Sequence, residues 1–332
     1  MAYVIHGAGA IGGIIAARLQ QSGQEVVVIA RGANREALET GGLRLRSAIE
    51  DWREPVRVVG HPAEAGLKST DTVILAVKTQ DTLAAIQDLA AAAPSDTPIF
   101  CAQNGVENER IALRSFSSVY GVYVFVFGAH LAPGVVQCFT APSFGVLDLG
   151  RYPRGLDDVA RRVSLDLVKA GFDSIVRPDI MRWKYAKLIA NLGNALAAAY
   201  GEREGLSDVF EATREEGRAC LRAAGIDFTP AEEAARRHQG LLPLKVVDRA
   251  PFPGGSTWQS LARGTGHTEI DYLSGEIVML GRLHDVATPI NDALQELVRS
   301  MGAGRLAPGS LDPDELRARL AAGGDGLETH PT

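Results

Sequence analysis

The residues Val4-Ile5-His6-Gly7-Ala8-Gly9-Ala10-Ile11-Gly12 determine how the rest of this 332-residue chain is interpreted. The apolar start predicts a buried strand, and the three glycines follow the spacing G-x-G-x-x-G. An amphipathic segment over residues 14–21 then predicts a helix, and the apolar run at 25–30 predicts a second strand. This order of strand, tight turn, helix and strand is typical of a dinucleotide-binding unit. The sequence therefore predicts an α/β fold with an N-terminal Rossmann-type, doubly wound parallel sheet.

Each glycine of this loop has a separate predicted role. Gly7 permits the tight turn, Gly9 lets the backbone approach a pyrophosphate, and Gly12 lets the helix pack closely on the strand. The N-terminus of the helix would supply N–H groups and partial positive charge to the phosphates. The predicted cofactor-binding residues of the loop are Gly7, Ala8, Gly9, Ala10, Ile11 and Gly12.

Composition excludes several classes of protein. With 34 Lys and Arg against 40 Asp and Glu, the net charge is −6, which does not favour a nucleic-acid partner. The chain has no run of eighteen apolar residues and no basic-then-apolar leader, so we expect no membrane association and a cytoplasmic location. The three widely spaced cysteines, Cys101, Cys138 and Cys220, predict reduced core thiols and no metal centre.

Arg31 follows the second predicted strand, where an NAD-preferring unit would carry an acidic residue for the ribose 2′-hydroxyl. No acidic residue stands at this point, and Arg31 with Arg35 offers a cationic fork that matches a 2′-phosphate. The alternative is an ordinary exposed arginine in a loop. We therefore predict NADP(H) as the cofactor, with Arg31 as a binding residue.

Two further strands end in polar residues. The buried run at 71–77 ends at Lys78, and the strand at 98–102 ends at Gln103-Asn104. Because ligands bind at the carboxyl ends of parallel strands, Lys78 and Asn104 are predicted to lie near the cofactor. The alternative for each is an ordinary loop or turn residue.

The remaining pattern predicts the domain organisation. Strands at 43–46, 56–59 and 173–176, helices at 81–93 and 156–169, and an antiparallel extension of the sheet over 118–149 would complete a domain at 1–178. Helical segments at 180–200, 207–224, 230–238, 257–263, 267–284 and 289–301 predict an all-helical substrate and catalytic domain at 179–302. Residues 303–332, with one weak helix at 312–322, are predicted to be a loosely held tail.

The helix at 183–196 carries a polar stripe on a mostly apolar segment. Lys187, Asn191 and Asn194 are spaced i, i+4 and i+7, so they lie nearly along one line. Asparagine is a mediocre helix former and costly to bury without partners, so the stripe suggests a polar pocket wall. The alternative is a solvated stripe on a surface helix.

A second polar cluster comprises residues 255–260 and 266–275. Thr268 or His267 would cap a helix, with Glu269 and Asp271 in its first turn, which is enough to explain both acids. His267 is not accompanied by a second ligand at metal-binding spacing, so no metal site is predicted.

Taken together and in order, these motifs resemble those of the ketopantoate reductase family over about residues 2–301. The matching stretches are 7–12, Val77-Lys78-Thr79-Gln80, Gln103-Asn104-Gly105, Trp183 with Lys187-Leu188 and Asn191, and Thr268-Glu269-Ile270-Asp271-Tyr272.

The resemblance implies NADPH-dependent reduction of a 2-keto acid, with ketopantoate as the default substrate and Lys187 as the proton donor. It also implies that Glu269 supports substrate and cofactor binding, that Asn104 and Asn191 line the site, and that Lys78 lies near the cofactor. Asn194 and the hydroxyls of Ser256 and Thr257 are further candidates for binding the substrate.

Three departures from the family pattern concern the substrate. The second helix asparagine is Asn194, one residue earlier than usual; Thr257-Trp258 replaces a serine followed by methionine or leucine; and Ser274 replaces an asparagine. A different 2-keto acid or carbonyl compound on the same scaffold therefore stays open, as does a non-catalytic NADP(H) sensor. Lys187 and Glu269 argue against the sensor. A homodimer is compatible with a helical domain rich in apolar residues.

Overall fold

The computed structural model describes residues 1–201, 206–264, 266–312 and 316. The chain divides into two compact units. Unit 1 contains residues 1–186 and 229–253, and unit 2 contains residues 187–228 and the chain from residue 254. The domain boundary placed at residue 178 stays a prediction.

All strands among the described residues belong to unit 1. They are β1 Tyr3–His6, β2 Val26–Ile29, β3 Leu43–Ser47, β4 Asp51–Glu54, β5 Arg57–Val59, β6 Thr72–Leu75, β7 Ile99–Cys101, β8 Val119–Phe125, β9 Gly128–Ala132, β10 Val135–Cys138 and β11 Val146–Arg151.

The α-helices are spread over both units, and two 3-10 turns, Thr79–Asp81 and Ile270–Tyr272, accompany them. They are α1 Ala10–Gln21, α2 Gly32–Gly41, α3 Pro62–Ala65, α4 Thr82–Ala90, α5 Asn108–Leu113, α6 Asp158–Lys169, α7 Ile180–Tyr200, α8 Ser207–Ala223, α9 Ala231–His238, α10 Ser256–Ala262, α11 Ser274–Leu283 and α12 Pro289–Gly304. Among the described helices, none is both long and apolar enough to cross a membrane.

The main sheet confirms the predicted Rossmann-type fold. Its strand order is β11-β8-β7-β6-β1-β2-β5, and every neighbouring pair is parallel except β11 with β8. Alternate residues of β1 enter different cores: Tyr3 and Ile5 pack with α1 and α6, whereas Val4 packs with α3, α4 and α5. A sheet that buries both faces in this way is doubly wound.

The expectation of one antiparallel extension over 118–149 is wrong in part. Only β11 extends the main sheet antiparallel, whereas β8 pairs parallel with β7. The hairpin β9–β10 belongs instead to a second sheet of order β4-β3-β10-β9, which packs on α1. A Cβ on Gly13 of α1 would lie 2.6 Å from the Val136 side chain, and one on Gly128 would lie 2.6 Å from Ile14. The glycines therefore permit this close packing, which strand alternation does not reveal.

Several smaller predictions need correction. The strand at 173–176 is reduced to isolated parallel bridges from Asp173 and Val176 to β11, because the edge is held by only a few hydrogen bonds. The helix expected at 81–93 ends at Ala90, and a 3-10 turn precedes it. Helices α2 and α5 and strand β4 were not predicted, because each is short and polar.

In unit 2, α7, α8, α10 and α12 enclose an apolar core, and α11 packs against α8 and α12. The single helix expected at 267–284 is divided into a 3-10 turn and α11, which begins at Ser274. His267 and Thr268 therefore do not cap that helix, and Glu269 and Asp271 are not in its first turn. Asp271 instead accepts hydrogen bonds from Gln295 at 2.9 Å and Arg299 at 2.6 Å, both on α12.

The tail predicted from residue 303 begins inside α12, which ends at Gly304. Its described part is held to α7 by hydrogen bonds from the Gly309 and Leu311 N–H groups to Ala198 and Ala199. Leu316 is buried in the core of unit 2. Most of the weak helix expected at 312–322 lies outside the described residues.

A buried ion pair holds the first turns of α7 in unit 1. Lys184 donates to the carboxylate of Glu109 on α5 and to the backbone oxygen of Gln103 at 3.1 Å. The two side chains are only 2% and 0% exposed. Replacing both partners of such a pair by apolar residues changes stability little. Removing only one partner leaves a buried, uncompensated charge, which is strongly destabilising.

We expect Glu109→Gln to lower the free energy of unfolding by about 3–5 kcal/mol, because it leaves the Lys184 ammonium without its counter-charge. The double variant Glu109→Leu/Lys184→Met should recover most of that loss. Urea unfolding measures both. Arg282→Gln, which removes an exposed ion pair with Asp292, is the control and should cost at most about 1 kcal/mol. A double variant no more stable than Glu109→Gln would contradict this account.

Candidate active site

The glycine loop of unit 1 has the geometry that its spacing predicts. Gly7 has φ +105°, and a Cβ there would lie 2.8 Å from the Val77 nitrogen on the loop after β6. A Cβ on Gly12 would overlap the Gly7 carbonyl oxygen and approach Ala76 to 3.0 Å. A Cβ on Gly9 would meet no atom within 4 Å. Packing therefore requires glycine at positions 7 and 12, whereas Gly9 between them borders open space.

This loop fits a dinucleotide pyrophosphate. Gly9 is the N-cap of α1, and the first turn of α1 contains no acidic residue. The first N–H groups of a helix have no acceptor within the helix, and they carry partial positive charge. Open space beside Gly9 and these donors suit an anion, so the residues present fit the predicted cofactor.

A buried polar network joins the loops that carry Lys78 and Asn104. The Gln103 amide donates to the Val77 carbonyl at 2.9 Å and to the Thr82 hydroxyl at 2.8 Å. Asn108 donates to the Asn104 carbonyl at 3.0 Å and accepts from Thr82 at 2.7 Å. The network fixes the carboxyl ends of β6 and β7 side by side.

The sequence reasoning did not identify Thr82 and Asn108 as part of this network. Both are fully buried polar residues in the first turns of helices. A polar side chain where a helix begins at a strand end is the signal that would have indicated them.

Arg31 lies at the carboxyl end of β2, as expected, and is the N-cap residue of α2. Its guanidinium donates to the carboxylate of Asp88 at 2.9 Å. Arg35 does not form a fork with it, because Arg35 pairs with Glu39 at 2.6 Å and with Glu64 at 3.6 Å. The predicted two-arginine fork is therefore reduced to Arg31 alone.

Two more polar residues lie beside the glycine loop. Asn34 donates to the Ala8 carbonyl at 3.0 Å and accepts from the Gly134 N–H at 2.8 Å, so it connects the loop to the β9–β10 hairpin. His6, the last residue of β1, is buried, and burial, with Arg31 as the next cause, lowers its pKa to about 4. His6 is therefore neutral at pH 7.

Unit 2 contains the other predicted site residues. On α7, the amide of Asn194 donates to the side-chain oxygen of Asn191 at 3.3 Å. Asn191 is only 6% exposed, which a solvated surface stripe would not give. The polar stripe on this helix is therefore buried at Asn191.

Desolvation lowers the pKa of the Lys187 ammonium group to about 8. An amine with a pKa near the working pH is well matched to proton transfer, since it is protonated at pH 7 and releases its proton more readily than a solvated lysine.

The start of α10 lies beside Asn194. A Cβ built on Gly255, its N-cap, would be 3.6 Å from the Asn194 side chain. Ser256 is the first residue of α10 and is partly exposed, whereas Thr257 is 3% exposed. Of the two predicted hydroxyls, Ser256 is therefore the more accessible.

Glu269 is buried and immediately precedes the 3-10 turn Ile270–Tyr272. Arg263, at the end of α10, is a charged neighbour of Glu269.

Trp258 packs against Gly254, and Ser274 is fully buried with no hydrogen-bond partner for its hydroxyl among the described residues. Within the described ranges, no three His, Cys, Asp or Glu side chains gather as a metal site. All three cysteines are free and buried, as expected.

The parallel sheet and the glycine loop at the carboxyl ends of its strands define a dinucleotide-binding α/β protein. Residues 3–153 match the family model described as ketopantoate reductase PanE/ApbA, and residues 179–302 match the model of the C-terminal part of the same family. The chain belongs to the ketopantoate reductase family. It is accordingly an oxidoreductase of a family that uses a nicotinamide cofactor and reduces 2-keto acids.

Individual proteins agree with this assignment. The chain is 31% identical over 339 residues to 2-dehydropantoate 2-reductase of Mesorhizobium japonicum, covering 92% of this chain and 99% of that protein. The solved PanE/ApbA family ketopantoate reductase from Ralstonia eutropha JMP134 is 28% identical, with a TM-score of 0.76 over 92% of this chain and 99% of that one. D-mandelate dehydrogenase, solved with NADH and anilino(oxo)acetate, has a TM-score of 0.78 at 24% identity, over 92% and 99% of the two chains. This last likeness concerns the fold.

We expect Gly9→Ala and Gly12→Ala to have opposite consequences. The methyl of Gly9→Ala enters open space, so the free energy of unfolding should change by less than about 1 kcal/mol, while binding of the reduced nicotinamide cofactor weakens about tenfold or more. The methyl of Gly12→Ala overlaps backbone and should cost at least about 2 kcal/mol of stability. Urea unfolding and cofactor fluorescence measure the two effects. Gly9→Ala with unchanged cofactor affinity would contradict the predicted role of Gly9.

Proposed function

We propose that this protein catalyses the NADPH-dependent reduction of a 2-keto acid, with 2-dehydropantoate (ketopantoate) as the leading substrate and pantoate as the product. The observation that carries the proposal is Lys187, whose ammonium group has a lowered pKa. The buried Asn191 follows it at i+4 on the same helix, in a chain whose family reduces 2-keto acids. The Mesorhizobium japonicum relative, which is named 2-dehydropantoate 2-reductase, supports the choice of substrate.

The cofactor would be held by residues of unit 1. Residues 7–12 bind the pyrophosphate, Arg31 binds the 2′-phosphate, and Lys78 and Asn104 stand at the neighbouring strand ends. When bound, the nicotinamide supplies the hydride that reduces the keto carbon.

The chain's own chemistry is proton transfer and orientation. The Lys187 ammonium donates a proton to the oxygen of the reduced carbonyl, and its charge stabilises the negative charge that develops there. The proposed partners of the carboxylate and hydroxyl groups of the substrate are Asn191, Asn194, Ser256 and Thr257. Glu269, buried beside the 3-10 turn, supports substrate and cofactor binding.

The second candidate is reduction of a different 2-keto acid on the same scaffold. The observation that favours it is Trp258, which packs on Gly254 at the start of α10 where the family usually has a smaller apolar residue. Function depends on the site and not on the fold, so a change of this kind redirects the choice of substrate.

Steady-state oxidation of NADPH with ketopantoate, beside a panel of other 2-keto acids, tests the proposed substrate. We expect kcat/KM for ketopantoate of about 10⁴ M⁻¹s⁻¹ or more, well above the panel. Faster turnover of a bulkier or aromatic keto acid would favour the second candidate. NADPH binding without oxidation by ketopantoate or any member of the panel would contradict both candidates.

Lys187→Ala tests the proton donor. We expect kcat to fall about 10²–10⁴-fold, with little change in the Kd for NADPH, because Lys187 acts on the substrate oxygen. In the unaltered enzyme, kcat for reduction should fall as the pH rises through about 8, where Lys187 loses its proton. Lys169→Ala, which alters an exposed lysine of unit 1, should retain both the rate and the alkaline limb. Equal losses of kcat and NADPH affinity in Lys187→Ala would count against this role.

A further inference from the structure

Arg31 belongs to a small charged group in unit 1 that also contains Asp88 of α4 and His61 before α3. The Arg31 guanidinium donates to Asp88 Oδ2 at 2.9 Å, and His61 Nε2 lies 3.6 Å from Asp88 Oδ1. The Arg31 side chain is 64% exposed and that of Asp88 33% exposed, so solvent and ligands reach both groups. Asp88 therefore bonds Arg31 through one carboxylate oxygen and has His61 near the other.

The two partners of Asp88 are not equivalent. His61 is held by its Nδ1, which accepts the Ala63 N–H at 3.2 Å, and its Nε2 lies 3.6 Å from Asp88, beyond hydrogen-bond distance. The Arg31 guanidinium, by contrast, is within hydrogen-bond distance of Asp88 and is largely exposed. Arg31 is therefore the principal partner of Asp88, and a ligand can reach it.

We propose that Asp88 is a cofactor-discriminating residue, whose carboxylate competes with the 2′-phosphate of NADP(H) for the Arg31 guanidinium. A 2′-phosphate that binds the Arg31 guanidinium competes with Asp88 for it, whereas NAD(H), which has no 2′-phosphate, leaves the pair intact. Asp88 also adds a negative charge beside the place where the 2′-phosphate binds, and like charges repel. Asp88 thus lowers the preference for NADPH over NADH that Arg31 alone would give.

This inference rests on the proposed role of Arg31 in cofactor binding, but it does not depend on which keto acid is reduced. Exposed ion pairs contribute a factor of about 1.4 to 5 to an equilibrium constant. Removing the carboxylate abolishes both the competition and the repulsion. The effect on NADPH binding should therefore exceed about threefold.

The test is cofactor binding to the full chain without substrate, followed by nicotinamide fluorescence. We would measure the Kd values of NADPH and NADH for the unaltered protein and for Asp88→Asn, Arg31→Ala and the double variant. Asp96→Asn is the matched control, since Asp96 is an exposed aspartate just before β7, at the opposite end of the strands from Arg31.

We expect Asp88→Asn to raise the ratio of the NADH Kd to the NADPH Kd by about threefold or more, and Asp96→Asn to leave it unchanged. In the Arg31→Ala background, Asp88→Asn should no longer raise this ratio by that factor. An unchanged ratio in Asp88→Asn, an equal rise in Asp96→Asn, or a full effect without Arg31 would each overturn the proposal. If Arg31→Ala bound NADPH as tightly as the unaltered protein, the role of Arg31 would be overturned as well. Failure of the protein to reduce ketopantoate would not affect these binding results.

Discussion

The structure of unit 1 depends on how closely the backbone at Gly7 approaches its neighbours. Gly7 sits against Ala76 and Val77, and Gly12 sits against Gly7, with no room for a side chain at either position. Because α1 starts within this contact, its N-terminus is fixed at the carboxyl ends of β1 and β6. Donors that are fixed before a ligand arrives lose little freedom on binding it, which is why the loop suits a pyrophosphate.

Much of this arrangement follows from local sequence. Glycine spacing, the buried strands and the polar residues at strand ends each depend on neighbours within a few positions, so the loop, β1, β2, β6 and β7 are predictable. The division of 118–149 between two sheets is not, since the choice depends on long-range packing of Gly13 and Gly128 around α1. Long-range contacts also decide the break before Ser274, where local capping signals at His267 and Thr268 suggest an earlier helix start.

Charged side chains are the least predictable part of the candidate site. Arg31 and Arg35 are equally cationic in the sequence, yet one pairs with Asp88, 57 positions away, and the other with acids on α2 and α3. The lowered pKa of Lys187 depends on burial, which no spacing rule provides. Residue type and helical period predict which side chains share a face, but only the tertiary structure sets their charge environment.

The contacts of the second sheet bear on how the nucleotide-binding part of this chain is delimited. Asn34 bonds both the Ala8 carbonyl and the β9–β10 hairpin, and Gly13 and Gly128 allow that hairpin to cover α1. A fragment cut down to the seven-stranded sheet and its helices would expose the outer face of α1 and leave the loop without this support. The second sheet is therefore part of the structure that supports the glycine loop, and chimaeras with other Rossmann proteins should exchange the two sheets together.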